Sequence, residues 1–225
     1  MGPLTQLVLG AALGAILSIL ITVWVARLYR PSLLLSIDPP LDLVYEVNAP
    51  AKKARHLRLR LHNEALPWYA RWTVRAPAQQ CRGEITFHQL SGEPLSSGDK
   101  MPVRWVNSPQ PVSLPIVSRT SRTVEFEMLD IGRMTSESRI DIYAGESELL
   151  DIAVRFDDEQ DCFGWNNEAY FHQWRNPKWQ FPRSVYLARV IVRSSGHKCE
   201  GLYRLFNDPN FHLEPAKAGD VVKQA

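Results

Sequence analysis

The sequence predicts an all-β domain, an antiparallel β-sandwich, following a single N-terminal transmembrane α-helix. Three observations carry this. Residues 4–26, LTQLVLGAALGAILSILITVWVA, run for 23 residues without one charged side chain. Beyond them, short segments alternate apolar and polar residues with period two, which marks strands with one buried and one wet face. Sixteen prolines and few helix-period segments leave little room for helices elsewhere.

The apolar run comes first in the chain. At ~1.5 Å rise per residue, a helix of this length crosses the ~30 Å hydrocarbon core of a bilayer. Helix is the required state, because backbone groups in lipid must be satisfied within the segment. Trp24 and Tyr29 stand at its C-terminal edge, where amphipathic rings sit at headgroup level, together with Arg27 and Arg30. No Lys or Arg precedes the run and no small-residue cleavage pattern closes it, so it reads as a retained anchor and not a signal peptide. Met1-Gly2-Pro3 begins no myristoylation signal, because position 6 is Gln where Ser or Thr is needed. The basic residues all follow the span, with Arg27 and Arg30 first and Lys52, Lys53 and Arg55 later. That asymmetry predicts a single-pass protein of the cell (inner) membrane, N-terminus outside and C-terminal domain cytoplasmic. Cys81, Cys162 and Cys199, an odd number spread over the domain, fit reduced thiols better than a disulfide framework.

One side of the anchor is built from small residues. Gly10, Gly14, Ser18, Thr22 and Ala26 recur every four positions, with Ala11 and Ala15 beside them. Gly10-x-x-x-Gly14 is the spacing that lets two helix backbones approach closely. The stripe points to other integral membrane protein subunits, or to a homodimer through the helix, while the remaining faces meet the lipid bilayer.

The domain follows in order. Leu33 to Ile37 is a short apolar run closed by Asp38-Pro39-Pro40, and Leu41 to Val47 alternates again. His56-Leu-Arg-Leu-Arg-Leu-His62 is the clearest strand, with Leu57, Leu59 and Leu61 inward and His56, Arg58, Arg60 and His62 on the wet face. Arg71 to Arg75, Glu84 to His88 and Met101 to Trp105 read as strands, with a Gly/Ser/Pro loop over 91–99. Thr123 to Met128 alternates with Val124, Phe126 and Met128 inward; Arg139 to Tyr143 and Leu149 to Phe156 follow. Tyr186 to Arg193 and Leu202 to Phe206 flank a Gly-containing loop and form a hairpin. The domains are therefore an anchor at 1–30, a sandwich at 31–206 and a tail at 207–225 expected to be extended or disordered. An insertion at 162–186 holds eight aromatic residues. Asn166 or Asn167 caps a short helix there that runs to Trp174 and stops at Asn176-Pro177.

The alternating strand Leu57 to Leu61, the Cys81-Arg82-Gly83 segment and the late pair around Val190 and Tyr203 resemble immunoglobulin-like sandwiches attached to membranes. The resemblance spans Leu43 to Phe206 at the level of pattern and lacks the Cys…Trp…Cys spacing, so it implies architecture and not role.

Composition excludes more than it offers. The chain is 45% hydrophobic and 22% charged with net charge +2, and its basic residues are scattered among acids, so no nucleic-acid footprint exists. There is no phosphate loop, nucleophile elbow, HExxH or CxxC, and no cofactor is expected. Asp157, Glu159, Asp161 and Glu168 match positions 1, 3, 5 and 12 of a calcium loop, but the sixth position is Cys162 where Gly is required. His197 and Cys199 lack further ligands to complete a metal set, and a metal enzyme would need to gather residues such as His88, Asp161 and Cys199. The aromatic insertion offers a candidate interface through Trp165, Tyr170, Trp174, Arg175, Lys178, Trp179, Phe181 and Arg183, against packing as a satellite core. The expectation is a non-enzymatic accessory or assembly subunit of a larger membrane complex. The rival readings are a tethered module that recognises a ligand or lipid surface, and a membrane-bound metal enzyme.

Overall fold

In a computed structural model of the chain, helix α1 covers Pro3–Tyr29 and stops where Pro31 makes it stop. A proline disfavours the helical region for the residue before it, and Arg30 is extended at φ −66°, ψ 140°. Pro3 opens the helix at its first turn, where the missing N–H costs nothing. The structure describes residues 2–45, 52–95, 98–109, 112–117, 124–129, 139–172 and 174–222, with side chains at 11–44, 53–95, 98–109, 139–172 and 174–222. Thr123 and the inward positions Val124, Phe126 and Met128 lie outside the described side chains.

Two antiparallel sheets pack face to face behind the helix. The first joins β1 (Leu33–Tyr45), β2 (Lys52–Asn63), β9 (Ser147–Phe156), β10 (Cys162–Gly164) and β11 (Gln180–Phe181) in that order, with β5 (Arg104–Trp105) also on β9. The second joins β14 (His212–Pro215), β13 (His197–Phe206), β12 (Val185–Ser194), β3 (Ala78–Gln89) and β4 (Met101–Pro102), with β8 (Ile140–Ile142) also on β3. Strands β6 (Val112–Val117) and β7 (Val124–Leu129) form a separate pair. Leu57, Leu59, Leu61, Ile85, Phe87, Trp105, Val190, Val192 and Leu205 fill the space between the main sheets.

Asp38-Pro39-Pro40 does not end β1. The strand runs through it with one register irregularity between Asp38 and Leu41. Because β1 is an edge strand, its prolines need no ladder partner on their free side. Met101 to Trp105, expected as one strand, is two: β4 pairs with β3 in the second sheet, and β5 pairs with β9 in the first. Val103 makes the crossing, its N–H donating to Gly83 O at 2.9 Å. Gly83 is required there, since a Cβ would meet Val103 Cγ2 at 2.7 Å. Arg71 to Arg75 is not a strand at all but a loop following a 3-10 turn at Trp68–Ala70. The chain beyond Asn207 is ordered through β14, which pairs with β13 and puts Phe211 and Leu213 into the core.

Two buried asparagines close the ends of the sandwich. Near the helix, Asn63 accepts from Ser32 N at 3.1 Å and donates to Ile142 O at 3.0 Å and Ala76 O at 3.4 Å. At the far end, Asn207 donates to Gln160 O and Phe181 O, both at 3.0 Å. The 13 residues of β1 connect these ends over roughly 40 Å of strand.

Candidate functional site

The insertion lies over the outer face of the first sheet. Phe163 and Trp165 leave β10 on that side, and Ala169 follows in a 3-10 helix at Asn167–His172. They pack on Ala54, Val154 and Phe156, with Tyr170 and Trp174 against Trp165 at ring distances of 5.9 and 6.4 Å. Asn176, expected to stop the helix, instead caps a second 3-10 turn at Pro177–Trp179 by accepting from Lys178 N at 3.1 Å.

Under this cover sits an ionic cluster. A bulge between Leu57 and Arg58 sets Arg58 opposite Asp151, and Arg58 Nε donates to Asp151 Oδ1 at 2.9 Å. Arg104, delivered by β5, donates through Nη1 to Asp151 Oδ2 at 2.9 Å. Its guanidinium lies 5.9 Å from the Tyr170 ring. Trp165 stands edge-on to His56 at 5.2 Å. The wet face expected for His56 and Arg58 is thus covered: His56 is 2% exposed and Asp151 1%. Arg60, beyond the reach of the insertion, stays at the surface paired with Asp38 at 2.5 Å. Burial lowers the His56 pKa to about 4, opposed by Asp151 and reinforced by Arg58 and Arg104. Burial also raises that of Tyr170. His56, Arg104 and Asp151 are enclosed, and their contacts with Trp165 and Tyr170 join the insertion to the sheet.

The candidate interface residues divide accordingly. Trp165 is 4% exposed, while Trp179 and Phe181 belong to the main core, 6.2 and 4.5 Å from the Phe87 ring. Tyr170, Trp174 and Arg175 are half-buried, and Arg175 pairs with Glu159 and lies over Phe156. Lys178 is exposed and pairs with Asp99 at 3.1 Å. Arg183 is exposed on the lip of a groove at the far end.

That groove has a volume of about 630 Å³ and is lined by both signs of charge. Asp42 holds Arg55 at 2.7 Å, a pairing that lowers the Asp42 pKa and raises that of Arg55. Arg155 donates to Asn207 Oδ1 and to the carbonyls of Asp208 and Pro209, and burial lowers its pKa. Lys53, Asp157, Glu159, Arg183 and Asp208 complete the charged lining. Such a lining suits a polar ligand or peptide carrying both charges.

At the opposite end, the helix and the domain meet in a surface the sequence did not disclose. Tyr29, the last residue of α1, accepts from Ala76 N at 2.9 Å, and its hydroxyl accepts from Thr73 Oγ1 at 2.7 Å. The loop so held exposes Trp68 at 79%, Trp72 at 70% and Val74 at 75%, with Tyr69 and, on the neighbouring β8 end, Tyr143 also exposed. Alternation hid this loop, because Trp72 and Val74 fall where a strand would point inward. The readable signal was Pro67 and Pro77, which bracket a stretch without acids.

Among the described residues, the helix face packs on no other part of the chain. Gly14, Ser18, Thr22 and Ala26 are exposed, and a Cβ on Gly14 would meet nothing within 4 Å. Thr22 Oγ1 bonds back to Ser18 O at 2.8 Å. Gly10 lies in α1 outside the described side chains. Residues Ala11–Tyr29 are long and apolar enough to cross a membrane.

Among the described residues, no three His, Cys, Asp or Glu side chains are placed to hold a metal ion. The acids with calcium-loop spacing are engaged apart from one another. Glu159 is on Arg175, Asp161 accepts from Gln180 at 2.5 Å, and Glu168 accepts from Asn176 at 3.4 Å. All three cysteines are free, and burial raises each thiol pKa, that of Cys81 to about 11. Thiols held protonated are poor nucleophiles and poor ligands. No family model matches the chain, and neither a curated protein nor a solved structure matches it.

Proposed function

We propose that this protein is a non-enzymatic, single-pass membrane protein that acts as an accessory or assembly subunit of a larger membrane complex. The supporting observation is the separation of α1 from the sandwich. Every described side chain from Ala11 to Trp24 is exposed, and among the described residues nothing lies within 4 Å of a Cβ placed on Gly14. An apolar helix so bare has its surface covered by lipid and by other membrane helices, for which a small-residue stripe is suited. Arg27 and Arg30 orient the anchor with the sandwich in the cytoplasm. We further infer an immunoglobulin-like arrangement for the sandwich, since the order β1-β2-β9 facing β3-β12-β13 follows the interleaved strand order of that architecture. In the full chain, Gly10→Leu or Gly14→Leu is expected to abolish co-purification of membrane partners, or of a second copy, in mild detergent. Unchanged recovery would overturn the proposal.

A second reading, a tethered binding module, draws on the charged groove at the far end. Lys53→Glu with Arg183→Glu separates the two. Loss of partners from that variant, with the Gly14→Leu variant unaffected, favours the groove.

A further inference from the structure

We propose that the loop at 67–77, with Tyr143, is a second membrane contact that seats the base of the sandwich in the lipid headgroup layer. The inference rests on reading α1 as an anchor and adds a surface which that reading does not need. Trp68, Tyr69, Trp72, Val74 and Tyr143 are large and between 55% and 79% exposed, a concentration unmatched elsewhere on the described surface of the domain. Single exposed apolar residues are ordinary, but a group of them marks something to be covered.

Position identifies the cover. The two hydrogen bonds to Tyr29 fix the loop at the last residue of the helix. Asn63 ties Ser32, Ala76 and Ile142 into the same base, and Gly145 N donates to Asn63 O at 2.7 Å, bringing the end of β8 with it. A bilayer crossed by α1 has its surface at the level of Trp24, Arg27 and Tyr29, and the loop is held at that level. Its composition is also right. Trp and Tyr favour the headgroup region because each has an apolar body and a polar edge, while the exposed Arg71 supplies a cation and no acid lies between Pro67 and Pro77. Contact at the helix exit and at the loop together would hold the sandwich at a fixed attitude to the membrane instead of leaving it to swing on a tether.

Tryptophan quenching in the full chain, reconstituted in phosphatidylcholine/phosphatidylglycerol vesicles, tests this. Trp24→Phe serves as background, and adding Trp68→Phe and Trp72→Phe defines the loop signal by difference. The loop signal is expected to be lost with lipids brominated close to the headgroup and to be shielded from aqueous iodide. Quenching by iodide with no effect of brominated lipid overturns the inference, and so does protection from both, which would mean a protein covers the loop. Alkaline carbonate extraction of the same vesicles keeps the two readings apart. Extraction of the chain defeats the anchor, whereas retention with a water-exposed loop defeats only the second contact.

Discussion

Asp151 is the residue on which the covered face of the first sheet depends. It is 1% exposed and compensates two guanidinium groups, those of Arg58 and Arg104, at 2.9 Å each. Removing one partner from a buried ion pair leaves uncompensated charge and costs about 3–5 kcal/mol. Asp151→Asn, similar in shape, is therefore expected to lower the unfolding midpoint strongly. The combination Asp151→Leu, Arg58→Met and Arg104→Met is expected to recover most of the loss, because it removes the charges together. Thermal melts of the full chain in detergent check both, and equal damage from the two would show packing rather than charge to be decisive. His56, beside this cluster, gives a pH dependence. Its pKa falls from 6.5 to about 4 on folding, so the unfolded chain binds the proton more readily and stability declines as pH drops below 6.5. Between pH 7 and 5 the loss is about 2 kcal/mol for this group, and His88, lowered chiefly by burial as well, acts in the same direction. Urea midpoints across that interval measure it, and His56→Gln should flatten the profile.

At the scale of elements, the insertion divides its aromatics between two cores, with Trp179 and Phe181 between the sheets and Trp165 in the layer outside. Trp165→Ala should cost about 3–5 kcal/mol, as truncation of a buried aromatic does. Amide exchange should then rise first in residues 165–172, and unchanged protection there would show that the cover does not depend on this ring. Legibility in the sequence followed the same division. The run from His56 to His62 was readable because Leu57, Leu59 and Leu61 face the main core on a strict period of two. That its other face is half covered was not readable, because the cover comes from residues about a hundred positions later. Met101 to Trp105 looked like one strand because a strand that changes sheets keeps its local pattern. Arg71 to Arg75 alternates without forming a strand for a related reason: alternation gives period but not environment, and Trp72 and Val74 are exposed on a loop.

For the whole molecule, the chain has a polarity set by α1. The helix exit, the Tyr29-bound loop and Tyr143 lie at one end, and the charged groove lies at the other, near Asn207. Helix α1 was legible, since length and lack of charge mark a helix long and apolar enough to cross a membrane. The groove was not, because Asp42, Arg55, Arg155, Arg183 and Asp208 come from five separate stretches of sequence. On the proposed reading of α1 as an anchor, the edge of the first sheet acquires a further meaning. Chains confined to a membrane plane meet at high local concentration and in similar orientation, conditions under which an open strand edge recruits its neighbour into a continuous sheet. Pro39 and Pro40 sit in the middle of β1, exposed, on that open edge, where they withhold two N–H groups and break the register. The same dipeptide that looked like the end of a strand would keep crowded copies from templating one another into aggregates.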